Sequence, residues 1–536
     1  MNTPAHHDDP MTMIRHGTAM VGIVWSCILF SIQGIGIYKI VRNHSAPHAP
    51  PVSPKLERDQ VPHITVIRPA KGVETGLYEC IASTFRLAYP KSKLTIRLCV
   101  DSTEDPAYPI LLQAVADFPG FDAEVLVEEQ DPILHGDDGH VNNLGPNPKI
   151  RNISRAYREA KGDIIWIADC NVWLGTGSAG RMVDKLCGFL PNGAQTTPYK
   201  FVHQLPLVID IEKPQAAEEQ VLLSSDTGAP YTAKSILSYG GRLEEMFMAT
   251  THAKFYSAIN TVGIAPCIVG KSNMFRKSHL DRLTDPAQNP ILSPADASRG
   301  RGIDFFSSYI CEDHLIGDLI WRSNIPGHKN HGLVFGEVAI QPVSGMTVGA
   351  YIARRVRWLR VRKWTVLAAT LVEPNVESFI CGLHLSYALT TLPWANRILG
   401  IPQTWTAMGT IWLSMVTVWM LVDRWLSGKL HRLQSVDVDE NTPTFALGTC
   451  RHGGIKRKPF MTWLWAWLGR EFLALPIWTW AVLLGTTVTW RGKHFRVRKD
   501  MSAVALDADE GVRKRPVTPL TSSGTTSRSR SKDRVD

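Results

Sequence analysis

The stretch Gly17–Tyr38 carries no charged residue and is mostly apolar. At about 1.5 Å per helical residue it can cross a hydrocarbon core of about 30 Å. A cleaved signal peptide is the alternative, but the run is long and no small-x-small cleavage site follows it. Lys39, Arg42, Lys55 and Arg58 come directly after. By the positive-inside rule, residues 1–16 are lumenal, 17–38 form a transmembrane anchor, and the chain then continues in the cytosol.

A second apolar region lies near the other end. Ser378–Asn396 and Ile398–Val422 are joined by too short a link for a domain, so residues 376–423 read as a transmembrane hairpin. The loop 424–458 carries Arg424, Lys429, Arg432, Arg451 and Lys456–Lys458, which returns it to the cytosol. Residues 459–490 pose a parity problem. One crossing would put the basic residues after Trp490 in the lumen, so a re-entrant or interfacial stretch around Gly469–Pro476 resolves it, with transmembrane passage as the alternative. Residues 491–536 are basic, rich in Ser and Thr towards the end, and read as a disordered tail.

Between these regions lies one large soluble unit. The chain has 536 residues and a formal charge of +9, modest for its length, which suits a membrane face or an anionic substrate. No nucleic-acid module is recognisable, so no nucleic-acid partner is expected. Nine cysteines without a C-x-x-C pair read as reduced side chains, not a disulfide frame or zinc site. Residues 39–60 are a linker rich in Pro, His and charge.

Within residues 61–350, His63–Arg68, Leu94–Val100, Glu124–Glu128 and Asp163–Ala168 are short apolar-rich runs that predict strands. Lys149–Ala160 and Glu244–Ser257 have helical spacing, Pro266–Phe275 reads as a strand, and Glu312–Arg322 as a helix. Residues 131–148 and 283–302 read as loops. Strands alternating with helices predict an α/β fold with a mostly parallel sheet, whose ligands bind beyond the carboxyl ends of strands. Asp101 and Asp169 both sit at such ends.

Four motifs carry candidate chemistry. DSTED (101–105) can hydrogen-bond a base and ribose, or simply cap a helix. In DCN (169–171), Asp169 is a candidate ligand for Mg²⁺ or Mn²⁺ bridging to phosphates, although strict D-x-D spacing is absent because Asn171 holds the third position. EDH (312–314) puts Glu312 and Asp313 in a helix first turn, with Asp313 as candidate base and its acidic neighbour able to raise its pKa. In RRVRW (354–358), Arg354, Arg357 and Trp358 share one helix face suited to a diphosphate. The same cations suit anionic lipid, so residues 351–375 also read as a basic amphipathic interfacial segment. His252 is a looser candidate near the acceptor, or a structural histidine.

These residues, together with RPAKGVE (68–74), LCVDSTEDPA (98–107), NPKIRN (147–152), IWIADCNV (165–172), TTHAKFY (250–256), CEDH (311–314), RRVRWLRVR (354–362) and GREF (469–472), resemble the ceramide glucosyltransferase family from about Val61 to Arg498. The resemblance implies a GT-A type, Rossmann-like nucleotide-sugar domain between N-terminal and C-terminal transmembrane helices. It implies transfer of glucose from UDP-glucose to ceramide with inversion, in a multi-pass Golgi membrane enzyme whose site faces the cytosol. By motif position Asp105 matches the first family aspartate, Asp169 the second and Asp313 the third, the base. Lys149 and His252 also fall in matching stretches. A processive polysaccharide synthase shares the acidic sites and the RW motif but needs more membrane helices; another lipid acceptor is a further alternative, as is a non-catalytic membrane scaffold.

Overall fold

The structure, a computed structural model, describes residues 10–135, 144–211, 239–490 and 493–506. Part of the loop expected at 131–148, and the expected tail beyond 506, lie outside these residues.

Seven strands form one sheet: β1 (Ile64–Pro69), β2 (Leu94–Val100), β3 (Asp122–Val127), β4 (Ile164–Ala168), β5 (Tyr199–Asp210), β6 (Ser272–Arg276) and β7 (Lys329–Val343), in the order β3-β2-β1-β4-β6-β5-β7. β3, β2, β1 and β4 run parallel, and β5 and β7 are parallel to each other. β6 is antiparallel to both its neighbours. This is the expected α/β class. β1, β2 and β4 are buried along their whole length, which explains their continuous runs of Ile, Val and Leu.

The reversed β6 matters most for function. Ser272 pairs with Ala168, and Asp169 N donates to Lys271 O at 3.1 Å. The segment entering β6 therefore arrives at the edge where β4 ends. The expected strand at 266–275 is confined to Ser272–Arg276.

β5 and β7 carry no clean apolar pattern because polar residues are buried in them. Glu337 is 2% exposed and meets Arg181, Ser178 and the Gln204 amide. Partners from elsewhere satisfy these groups, so the strands hold despite their sequence.

Two described helices are long and apolar enough to cross a membrane: Pro10–Asn43, with mean hydropathy 1.9, and Trp405–Leu430, with 1.5. The first packs its C-terminal half on the helix Ala253–Val262. A Cβ at Gly36 would lie 2.0 Å from Lys254 O, so only glycine permits this approach. The first arm of the expected hairpin is shorter than its apolar run. Helix Ser378–Thr391 stops before Pro393, which starts a separate helix, Pro393–Leu399. Its 14 residues rise roughly 21 Å, less than a hydrocarbon core.

The C-terminal end also departs from expectation. β8 (Thr487–Trp490), β9 (Lys493–Val497) and β10 (Ala503–Leu506) form a three-stranded antiparallel sheet where a disordered tail was expected from residue 491. Val488, Phe495, Val497 and Ala503 bury against Ile310, Cys311 and Val361, with Phe495 and Val497 alternating with His494, Arg496 and Arg498. Charge density masked that period-two pattern.

Candidate active site

A cavity of about 400 Å³ opens where β1 and β4 end and β6 begins. Asp169, Lys149, Glu312, Asp313, Arg354, Arg357 and Trp358 all line it. Side chains far apart in sequence therefore converge, as the α/β topology directs.

Each arrives for a local reason. Asp169 follows the buried β4 directly. Lys149 lies in the first turn of the helix Pro148–Arg158, which Asn147 caps by accepting from Lys149 N and Ile150 N at 2.8 and 3.1 Å. Glu312 and Asp313 open the helix Glu312–Arg322. Arg354, Arg357 and Trp358 sit on one face of the helix Val348–Arg362, whose Thr347 cap accepts from Ala350 N.

Lys149 Nζ lies 3.1 Å from Asp169 Oδ1 and 3.2 Å from Glu312 Oε1. Lys271 Nζ lies 3.0 Å from Asp169 Oδ2 and 3.2 Å from Asn171 Oδ1. Burial alone would push the Asp169 carboxyl up, but the two ammonium groups hold it well below the usual carboxylate range. The Glu312–Asp313 pair behaves in the opposite sense. Burial raises both carboxyls, and Lys149 opposes the rise. A Cβ at Gly270 would lie 2.8 Å from Asp313 Oδ2, so the chain before β6 passes against the carboxylate only because residue 270 lacks a side chain.

The cationic helix is divided by face. Arg354 Nη2 donates to Gln341 Oε1 at 3.2 Å, and its Nε lies 2.9 Å from the buried Glu244 carboxylate, an ion pair rather than an aligned hydrogen bond. Arg355 stacks 3.6 Å over Phe247 and pairs with Glu373. Arg360 donates to the carbonyls of Trp480 and Thr487. The protein itself thus occupies arginines that the sequence reading offered to lipid headgroups.

Three expected residues are not part of the cavity wall. Asp101 and Asp105 reach it through Lys71, which pairs with both and does line it. Asp105 is 5% exposed and accepts from Gly72 N and Ala107 N at 2.8 and 2.9 Å, so it shapes the Lys71–Gly72 loop. His252 lies away from the cavity, between Phe247 and Tyr256 rings at 5.6 and 5.1 Å. Burial and nearby Arg355 push its imidazole down to about 3.

The lining residues not singled out from sequence include Lys71, Lys271, His314 and Trp490. Lys71 lies within the quoted RPAKGVE, but no pattern marked it. Lys271 needs the antiparallel setting of β6 to meet Asp169.

Six basic side chains, counting Lys71, Lys271 and Arg362, face four acidic ones, counting Glu74, around the cavity. That excess suits a diphosphate. Among the described residues no three His, Cys, Asp or Glu side chains meet as a metal cage. Asp169 and the Asn171 amide oxygen are oxygen donors of the kind a hard divalent ion takes, and here the Lys149 and Lys271 ammonium groups hold them.

The sequence model for Glycosyl transferase family 21 matches residues 24–234 and 291–503. A ceramide glucosyltransferase of Pyricularia oryzae is 58% identical over 92% of this chain and 96% of its own. One of Gibberella zeae is 49% identical over 96% and 98%. Among solved structures, a mannosyltransferase from Pyrobaculum calidifontis in complex with GDP-Man and Mn²⁺ aligns with 78% of this chain and 98% of its own, at 14% identity and a TM-score of 0.39. With its acids and its Arg-Arg-Trp face brought to one cavity and the family match spanning most of its length, this chain belongs to glycosyl transferase family 21 and is a glycosyltransferase.

Proposed function

We propose that the enzyme transfers glucose from UDP-glucose to the primary hydroxyl of ceramide with inversion, giving β-glucosylceramide and UDP. The observation that carries this reading is the cavity that holds the Asp313 carboxylate together with the Arg354–Arg357–Trp358 face.

In the reaction the ceramide oxygen attacks the anomeric carbon. The bond to the β-phosphate oxygen breaks, and its electron pair leaves with UDP. Asp313 takes the hydroxyl proton, and the burial that raises its carboxyl suits it to that role. Lys149, Lys271, Arg354 and Arg357 stabilise the charge that develops on the diphosphate. Asp169 and Asn171 would hold Mg²⁺ or Mn²⁺; when bound, the ion supplies further neutralisation of the leaving group. Asp101 and Asp105 set the Lys71 loop on the donor side. Glu312 and Lys149 hold each other in place beside the base.

The setting is a membrane surface, with the catalytic region in the cytosol and the Golgi as compartment. Helices Pro10–Asn43 and Trp405–Leu430 support membrane attachment. Helix Phe460–Trp478 lies at the interface rather than crossing. Lys458, just before it, pairs with Glu245 at 2.6 Å, and Arg360 binds the Thr487 carbonyl just after it at 2.6 Å. Both ends thus return to the same α/β body.

Purified protein supplied with UDP-glucose or UDP-galactose, each with ceramide, tests this reading. The expected product is β-glucosylceramide from UDP-glucose. Asp313→Asn should lower transfer by at least about 100-fold while UDP-glucose affinity persists. Lost donor binding with residual turnover would contradict the base assignment. A chelator should weaken UDP affinity, which Mn²⁺ then restores.

A further inference from the structure

The cavity has one wall that the motifs do not supply. Trp490, at the end of β8, lines it together with Ile310 and Val361. These three side chains belong to one packed cluster, in which Phe495 is fully buried. The C-terminal sheet is also tied to both halves of the site. Ala503 N donates to Ser308 O at 2.8 Å, close before Glu312–Asp313. Arg360, on the helix that carries Arg357, donates to Thr487 O at 2.6 Å. The indole is therefore fixed between the turn that presents the carboxylate and the cationic helix.

The charged groups at Asp169 suit the diphosphate. Ile310, Val361 and Trp490 suit something else, a hydrocarbon lying beside an alcohol that must reach Asp313. An indole offers a large flat apolar area at small entropic cost.

We infer that Trp490 is an acceptor-contacting residue: its indole, packed against the cluster that holds Ile310, Val361 and Phe495, is the apolar wall on which the hydrocarbon next to the reacting hydroxyl lies. The inference rests on the lipid-alcohol reading above. It makes the C-terminal sheet part of the catalytic site.

The test uses the full chain in detergent micelles, with UDP-glucose and a short-chain ceramide. Trp490→Ala should raise the acceptor KM about tenfold, since it removes one large apolar contact. The Kd for UDP, measured by calorimetry, should stay within about twofold. Trp490→Phe should recover most of the loss. An unchanged acceptor KM, or a fall in UDP affinity as large as the rise in KM, would overturn the inference. Should Trp490→Ala not fold, Trp490→Leu decides it: a raised acceptor KM with the UDP Kd held within about twofold supports the wall, and an unchanged KM overturns it. Wild-type protein that binds UDP but transfers nothing to ceramide would instead sink the lipid-alcohol reading.

Discussion

Lys149 Nζ lies 3.1 Å from Asp169 Oδ1, inside a cavity where a second lysine, Lys271, holds the other carboxylate oxygen. The lysine also reaches Glu312 at 3.2 Å, so one ammonium links the donor-side acid to the acid beside the base. Replacing it by Met leaves both carboxylates in reduced dielectric with less compensation. Lys149→Met is expected to cost roughly 3–5 kcal/mol of stability and to weaken UDP binding. Denaturant titration and calorimetry measure the two effects; full stability with normal UDP affinity would show that the link is dispensable.

Burial raises the Asp313 carboxyl, so the base stays protonated over a wider acid range than a free aspartate. Transfer should therefore climb as pH rises through a value above the ordinary carboxylate pKa of about 4. Lys149 opposes the shift, and Lys149→Met should move the acid limb further up. The pH profile of kcat/KM decides this; an acid limb at the ordinary value counts against a buried base.

Arg354 and Arg357 share a helix face, and Arg354 is tied to a buried acid. Arg354→Ala strands Glu244, which is 0% exposed and lies 2.9 Å from the guanidinium. It should destabilise by roughly 3–5 kcal/mol. Arg357→Ala should weaken UDP binding by about tenfold or more, the scale of one charged hydrogen bond. Tm for Arg354→Ala and UDP affinity for Arg357→Ala check the two; an unchanged Tm or an unchanged affinity would count against the corresponding role.

A buried ionic cluster joins the apolar helices to the catalytic body. Arg470 lies 3.4 Å from Asp423 and 3.6 Å from Glu377, and donates to Thr251 at 2.7 Å. Lys254 holds the other Asp423 oxygen at 2.7 Å. Arg470 also pairs with Glu471, so removing the guanidinium leaves three carboxylates to one lysine. Arg470→Met should lower stability by roughly 3–5 kcal/mol, seen as a reduced Tm in detergent, with activity tracking the folded fraction. An unaltered Tm would mean the cluster contributes no net stability.

Much of the site was legible because its pieces are local. Apolar runs that end abruptly on Asp101 and Asp169 announce buried strands, whatever lies beside them. The i, i+3, i+4 spacing put Arg354, Arg357 and Trp358 on one face without reference to the rest of the chain. A helix first turn accommodates Glu312 and Asp313 through its own dipole. By contrast, β5 and β7 were missed because Glu337 and its partners are satisfied across the fold.

The sequence by itself determined the strands β1 to β4, the helices that carry the motifs and the long apolar runs, and which side chains could do chemistry, since periodicity and charge belong to a single segment. Only the tertiary structure decided that Lys271 meets Asp169, that His252 turns away to stack on Tyr256, and that Trp490 closes the cavity. Those outcomes depend on strand order, on the reversed β6 and on a C-terminal sheet that folds back over the Cys311 turn. Such long-range pairings are set by how buried faces fit one another, and no window of sequence contains both partners.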